Sequence, residues 1–151
     1  MTSPMIQIST QHLGAYVALT LACLFTPFAA QGDVVVVANP GSSLSSLTKE
    51  QVADVFTGKA TNLPGVGSVQ LIDQPESSPL RDHFYSKVVG KSPSQVRSAW
   101  AKLSFTGKGT PPKEGANADE IKKQVAGNKN MLGYIDKAAV DASVKVVFSA
   151  P

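Results

Sequence analysis

A short stretch after Asp73 places two hydroxyls and a guanidinium at the predicted start of a helix. Ser78 is a favourable N-cap residue, and Pro79 suits the first helical position, where no backbone N–H is needed. The free N–H groups of a first turn and the positive end of the helix dipole favour a bound anion. The guanidinium of Arg81 can add two hydrogen bonds to a phosphate or a carboxylate. Ser77, Ser78 and Arg81 are therefore candidate ligands for an oxyanion.

The same residues permit a purely structural interpretation. Ser78 then only caps the helix, and Arg81 pairs with Asp82, Glu76 or another surface acid. Capped helices with an early arginine are common in proteins, so the residues alone leave both interpretations open.

The elements around this stretch have the order that phosphate sites favour. Residues 69–72 predict a short strand that delivers Asp73 and Gln74 to the loop before the helix. Apolar residues at helical spacing then give the helix one buried face, and Gly90 ends it. The apolar residues are Leu80, Phe84, Tyr85 and Val88.

Two further loops carry groups that could complete a ligand shell. The first is a small, hydroxyl-rich segment after the first predicted strand, and the second is a glycine-rich segment around Lys108. The candidate residues are Ser43, Ser45 and Ser46 in the first loop and Thr106, Gly107 and Thr110 in the second. The second loop is not a Walker A loop, because Gly109 follows Lys108. Each loop is equally compatible with a plain surface connection.

The remaining pattern predicts an α/β protein. The unbroken valines of residues 33–39 indicate a strand buried on both faces, as in a parallel sheet. A capping box at Thr48 predicts a helix over residues 49–57 that stops at Gly58, and Ser92 begins another helix with a second capping box. A further helix over 117–127 and strands over 132–136 and 144–148 follow. Together they predict a three-layer α/β sandwich with a mostly parallel central sheet.

The N-terminal residues 1–32 read as an export signal followed by one domain over residues 33–151. Residues 1–32 carry no Asp, Glu, Lys or Arg, and residues 13–28 are mostly apolar, about the length of a signal-peptide core. Cleavage after Gly32 or Ala30 would release the domain to the periplasm. Retention as an uncleaved membrane tether is the alternative.

Composition disfavours several classes of function. The net charge of +3 is modest, and the basic residues are spread as a solvated face, which argues against nucleic acid. His83 is one of two histidines and adjoins Asp82, but neighbours on a helix face different ways and form no catalytic dyad. The sequence contains no G-x-S-x-G elbow and no set of zinc ligands. We therefore expect no catalysis, no metal and no cofactor.

Several motifs occur in the order found in one protein family. Val36-Val37-Ala38-Asn39-Pro40 and the later Ser46–Lys59 segment are similar to its strand and its S-L-T-x-E-Q-L-x-D-I-F-x-G-K helix. The segment 74–84 stands where the family has its R-x-x-G-S-G-T-R-x-x-F anion loop, and Leu132-Gly133-Tyr134-Ile135 resembles its I-G-Y-V strand. The chain resembles the substrate-binding proteins of bacterial ABC phosphate importers, a branch of the type 2 periplasmic binding protein fold.

The resemblance implies an exported, non-catalytic protein that binds an inorganic anion, most simply phosphate, and serves ABC-type uptake or sensing. A permease or a sensor would be its protein partner. Residues 33–151 are roughly half of a two-lobed binding protein, which implies binding on an open face, a homodimer or a lobe from a partner. Ser78-Pro79 replaces the glycine-threonine pair of the anion loop. The alternative is a ligand-free interaction or sensor module that keeps the lobe for its shape.

Overall fold

The structure, a computed structural model, describes residues 32–150. The predicted signal peptide and its cleavage sites lie outside the described residues, except for Gly32. No helix in the described range has both the length and the apolar character needed to cross a membrane. The strands are β1 (Val34–Ala38), β2 (Asn62–Leu63), β3 (Gly67–Ser68), β4 (Gln70–Asp73), β5 (Lys113–Glu114), β6 (Met131–Asp136) and β7 (Lys145–Ser149). The α-helices are α1 (Lys49–Phe56), α2 (Pro79–His83), α3 (Pro93–Phe105) and α4 (Ala118–Ala126).

Five strands form one mixed sheet in the order β5-β4-β6-β1-β7. β4 is parallel to β5 and to β6, while β1 is antiparallel to both of its neighbours. Four of the five strands therefore run in the same direction, as the mostly parallel prediction required. A separate antiparallel hairpin of β2 and β3 precedes β4.

The first strand corrects one step of the sequence interpretation. All five residues of β1 are buried, as its run of valines predicted. The strand is nevertheless antiparallel to β6 and β7 rather than part of a parallel ladder. A central strand is covered on both faces whatever the direction of its neighbours, so burial alone did not determine the direction.

Two hydrophobic cores lie on opposite faces of the sheet. Val34 and Val36 point into the larger core, which also contains the buried residues of α1, of α3 and of the helical segment Phe84–Val89 that follows α2. Val35 and Val37 point into the smaller core under α4. Alternating side chains of one strand therefore hold two helical layers against one sheet. The predicted three-layer α/β sandwich is confirmed.

The predicted helix ends are largely where local signals put them. Thr48 forms a complete capping box with Gln51 at the start of α1, and Ser92 forms one with Gln95 at the start of α3. Gly58 follows α1 with a φ of +75°, a conformation that favours glycine.

The helix after the predicted anion loop has an unusual second half. α2 continues without a break into a π-helical segment, Phe84–Val89, which ends at Gly90 with a φ of +75°. Both Phe84 and Tyr85 are fully buried, although they are neighbours in sequence. The wider π-helical turn brings adjacent side chains onto one buried face, and such turns are frequent at functional sites.

Candidate solute-binding cleft

A buried carboxylate forms the centre of the candidate site. Asp73 is the last residue of β4, and its Oδ2 accepts hydrogen bonds from Arg81 Nε at 3.2 Å and from the Tyr85 hydroxyl at 2.7 Å. Its Oδ1 accepts one from the hydroxyl of Tyr134, on β6, and one from the backbone N–H of Gln74 at 2.8 Å. Asp73, Arg81, Tyr85 and Tyr134 are called the Asp73 cluster below.

The helix and the sheet each contribute half of this cluster. Arg81 and Tyr85 are four residues apart in the helical segment, so both reach Asp73 from one face, and the guanidinium carbon lies 5.2 Å from the Tyr85 ring centroid. Tyr134 comes from the strand beside β4. The side-chain amide of Gln74 donates to the Tyr134 carbonyl at 2.9 Å, which fixes the start of the loop against β6.

Burial and the Asp73 charge hold both tyrosines in their neutral form. Burial raises the pKa of Tyr85 and of Tyr134 well above the ordinary value, and the nearby carboxylate of Asp73 raises both further. Burial by itself would lower the pKa of Arg81, but the attraction of Asp73 outweighs it and the pKa is raised. The cluster is therefore a fixed network of neutral hydroxyls around an ion pair.

The exposed side of Arg81 faces a cavity of about 290 Å³ between the end of β4, α3 and the segment before β5. This cavity is called the arginine cleft, because the two arginines of the sequence, Arg81 and Arg97, both line it. Its other lining residues are Asp73, Gln74, Glu76, Val96, Trp100, Ala101, Pro111, Pro112 and Glu114.

The Nη atoms of Arg81 are candidate donors to a ligand in the cleft. The only hydrogen bond of the Arg81 side chain within residues 32–150 uses Nε. No buried side-chain nitrogen or oxygen in that range lacks a partner, so the Nη atoms are in contact with solvent rather than sealed in the core. Arg81 is thus anchored through Nε and lines the cleft, and its two Nη atoms have no hydrogen bond within the described residues.

The other charged residues of the cleft are held weakly. Arg97 Nη2 lies 3.4 Å from Glu76 Oε1, and both side chains are more than half exposed. Glu114 is exposed and has no ion pair within the described residues. These three side chains can change partners at little cost, because exposed ion pairs contribute about 1 kcal/mol or less.

Trp100 forms a rigid wall of the cleft. The indole is buried, and its Nε1 donates to the carbonyl of Phe56 at 2.9 Å. It therefore acts as a core anchor. Trp100 and Pro111 also line a second cavity of about 420 Å³, which extends from the cleft towards Thr61 and Gln70.

The start of α2 offers fewer free hydrogen-bond donors than the sequence predicted. Ser78 occupies the N-cap position of α2, but its side chain makes no capping hydrogen bond. Pro79 has no N–H, and the N–H groups of Arg81 and Asp82 donate to the Ser78 carbonyl. The first turn therefore offers at most the N–H of Leu80. Ser77 and Ser78 do not line the arginine cleft, so only Arg81 of the three predicted ligands does.

The hydroxyl-rich loop lies elsewhere and does not line the arginine cleft. Ser43 Oγ donates to the carbonyl of Gly65, in the turn between β2 and β3, at 2.6 Å. The backbone N–H of Leu47 donates to Val147 on β7. Ser43, Ser45 and Ser46 thus lie in a loop tied to β7, which is three strands from β4 in the sheet. The antiparallel course of β1 sends this loop away from the carboxyl end of β4.

The glycine-rich loop borders the cleft, but through other residues than predicted. Pro111 and Pro112 line the arginine cleft. Thr106 Oγ1 donates back to the Lys102 carbonyl at the end of α3, and Gly107 lies at an exposed shallow depression. Thr110 lines the second cavity. Direct ligand contacts from Thr106 and Gly107 in the cleft are therefore not supported.

The sequence interpretation did not identify Asp73, Tyr134 and Glu114 as site residues. A usable signal was present for one of them, because Asp73 ends a buried strand and a buried carboxylate requires partners. The spacing of Arg81 and Tyr85 is a second such signal. The sequence carries no such signal for Glu114, because its position depends on the two-residue pairing of β5 with β4.

Solved structures of similar fold were found, although no protein-family model matches the sequence and no curated protein does. An ABC-type phosphate transport receptor from Vibrio cholerae is 22% identical with a TM-score of 0.62, over 77% of this chain and 45% of that one. A protein from Clostridium perfringens, solved with bound phosphate and described as a phosphate ABC transporter substrate-binding protein, is 24% identical with a TM-score of 0.64, over 77% and 44%. PstS from Borrelia burgdorferi is 12% identical with a TM-score of 0.58, over 77% and 46%.

These similarities establish the fold and its extent. The chain spans less than half of the length of each of these structures. The predicted resemblance to phosphate ABC transporter substrate-binding proteins is confirmed at the level of fold. The described residues have the fold of slightly less than half of such a protein.

Proposed function

We propose that this protein is a non-catalytic solute-binding protein whose ligand presents an anionic group to Arg81 in the arginine cleft. The observation that carries the proposal is that the nitrogens of the Arg81 side chain have different partners. Nε of Arg81 is fixed by Asp73, both Nη atoms are without a hydrogen bond in the described residues, and the residue lines the arginine cleft.

The fixed orientation of Arg81 favours binding. A free arginine side chain loses rotamer entropy when it clamps a ligand, whereas this one is already ordered by the Asp73 cluster. The two Nη groups form a planar donor pair that suits two oxygens of a phosphate or a carboxylate. Arg97 can turn from Glu76 towards the same ligand, because their ion pair is exposed.

Inorganic phosphate is the first anion to test, since the solved structures of similar fold are phosphate-transport proteins and one holds phosphate. In that role the protein would be exported to the periplasm by residues 1–32, or tethered by them, and would serve an ABC permease or a sensor. An open cleft on a single lobe also gives a reason for two copies to pair over the ligand. Size-exclusion chromatography with light scattering, with and without phosphate, tests that pairing.

The chemistry of the cleft supports binding rather than catalysis. Tyr85 and Tyr134 stay neutral because their pKa values are raised, so neither provides a phenolate nucleophile. His83 lines a different cavity, beside Lys49 and Lys87. Within residues 32–150, no group of three or more His, Cys, Asp or Glu side chains could hold a metal ion.

A ligand-free interaction module is the second candidate. Two observations favour it: the Ser78 side chain makes no capping hydrogen bond, and Ser43, Ser45 and Ser46 do not line the arginine cleft. In that case the Asp73 cluster only stabilises the lobe, and no solute changes the stability of the protein.

Thermal unfolding of the purified protein with phosphate, sulfate, molybdate and simple carboxylates distinguishes the two candidates. A ligand at about 100 times its Kd should stabilise the folded state by about 2.7 kcal/mol, which raises Tm by roughly 10 °C. Arg81→Lys keeps a positive partner for Asp73 but loses the Nη pair, so it should abolish most of the shift. Lys91→Arg, the reverse exchange at an exposed position outside the cleft, should leave the shift unchanged. A panel without any shift in the folded wild-type protein favours the interaction module.

A further inference from the structure

We propose that the ligand of the arginine cleft is a zwitterion of the α-amino-acid type, with a carboxylate and an ammonium group on the same carbon. This inference rests on the proposed function, because it requires a solute in the cleft. The inference differs from the proposed function in the chemical class of the ligand, because a simple oxyanion carries only negative charge and a zwitterion carries both signs.

The charges of the cleft do not suit a purely anionic ligand. Two arginines face three acids, Asp73, Glu76 and Glu114, so the lining carries a formal charge of about −1 at pH 7. A phosphate ion would add one to two further negative charges to a partly shielded cavity, where like charges repel more strongly than in water. A zwitterion adds no net charge and can satisfy both signs.

Two of the acids remain available for an ammonium group. Asp73 is fully engaged by four hydrogen bonds from the chain itself. Glu114 is paired in register with Asp73 across the parallel β4–β5 ladder, so its side chain projects from the same face of the sheet, about 5 Å along it. Glu114 has no ion pair among the described residues, and Glu76 has only its exposed contact with Arg97. A carboxylate on Arg81 would therefore place an α-ammonium group towards Glu114.

The size and the walls of the cleft also favour a larger ligand than an oxyanion. About 290 Å³ corresponds to the space of roughly ten water molecules, which exceeds the need of a five-atom ion. Trp100, Val96 and the rings of Pro111 and Pro112 provide apolar surface on the side away from the charges. That surface suits an organic side chain attached to the charged groups.

Calorimetric titration with the standard L-α-amino acids, inorganic phosphate and two blocked derivatives tests the inference. For the amino acid that binds best, N-acetylation removes the ammonium charge and conversion to the amide removes the carboxylate. Each blocked derivative should bind at least tenfold more weakly than the parent. Glu114→Gln should also weaken the parent amino acid at least tenfold. Asp82→Asn makes the same charge change on α2 outside the cleft, and it should leave Kd within twofold.

The outcomes separate this inference from the proposed function. If phosphate binds, amino acids do not, and Glu114→Gln tightens phosphate binding, the solute-binding function stands and the zwitterion is wrong. Equal affinity for an amino acid and its N-acetyl derivative also overturns the zwitterion. If no amino acid and none of phosphate, sulfate, molybdate and simple carboxylates binds to the folded protein, both proposals fail.

Discussion

Arg81 and Asp73 form an ion pair in which Nε lies 3.2 Å from Oδ2 and about nine-tenths of each side chain is shielded from solvent. Removing one partner of a buried pair leaves the other charge without compensation. We therefore expect Arg81→Ala to lower the free energy of unfolding by about 3 kcal/mol or more, as measured by urea denaturation. The hydroxyls of Tyr85 and Tyr134 would still solvate Asp73, so we expect the variant to remain folded at low temperature.

The double variant Asp73→Asn with Arg81→Gln provides the control, because it removes both charges together. It should recover part of the stability lost in Arg81→Ala. A loss below about 1 kcal/mol in Arg81→Ala would mean that the ion pair behaves like an exposed one, which contradicts its burial.

Alkaline pH should destabilise the protein through the two buried tyrosines. Below about pH 10 the tyrosines carry their protons in both the folded and the unfolded chain, so they add no pH dependence. Above about pH 10 the unfolded chain releases these protons, whereas the folded state retains them because the pKa values of Tyr85 and Tyr134 are raised. The free energy of unfolding should then fall by about 1.4 kcal/mol per pH unit for each tyrosine.

Urea denaturation between pH 8 and pH 11 measures this slope. Tyr85→Phe and Tyr134→Phe should each remove about one tyrosine's share of it. An unchanged slope in both variants would assign the pH dependence to other groups, such as the lysines.

The close contact of α4 with the sheet depends on Gly133 in β6. A Cβ at this position would lie 2.8 Å from Ile121 Cγ2 and 2.8 Å from Ile72 Cγ2. We expect Gly133→Ala to destabilise the protein by about 1–3 kcal/mol in urea denaturation, because the smaller core is already filled. Gly127→Ala is the matched control, since its φ is −82° and its nearest neighbour is a backbone oxygen at 3.4 Å. Equal effects of the two changes would contradict overpacking as the cause.

Thr48, Ser78 and Ser92 all occupy N-cap positions, but their replacement by alanine should change the stability of the protein by different amounts. Thr48 and Ser92 each accept a bond from the N–H three residues later, at 3.2 Å. We expect Thr48→Ala and Ser92→Ala to cost about 1 kcal/mol each in thermal or urea unfolding. Ser78 makes no such bond, so Ser78→Ala should change the stability by less than about 0.5 kcal/mol. A loss at Ser78 as large as that at Thr48 would contradict the geometry of α2.

The caps and glycines also explain why the boundaries of most elements could be predicted from sequence. A capping box and a following glycine act over a few residues, so Thr48 with Gly58 defines α1 without reference to the rest of the fold. The direction of β1 is different. Four consecutive valines report burial on both faces, and only pairing with strands about 100 residues later decides that the strand is antiparallel.

The candidate site was predictable only in part for the same reason. Arg81 could be identified because its residue type and its place in a helix already indicate an anion contact. Its true partner is Asp73, and the hydroxyl of Tyr134 reaches that carboxylate from a strand about sixty residues away. The loop of Ser43 lies away from the arginine cleft because its position follows from the direction of β1. Contacts that depend on strand order are difficult to predict from the local sequence.

The position of β1 between β6 and β7 also bears on how the chain acquires its fold. Val34 lies opposite Asp136, and Val35 lies opposite Ser149, so both native partners of β1 are strands that come about 100 residues later in the chain. A nascent or truncated chain that lacks them would expose a run of valines with high aggregation propensity. Closing such long loops is slow, so the central sheet should assemble late, after the local helices have formed. Deletion of β7 alone leaves the apolar β1 as an unprotected edge strand beside β6, and should therefore yield insoluble protein rather than a smaller folded domain.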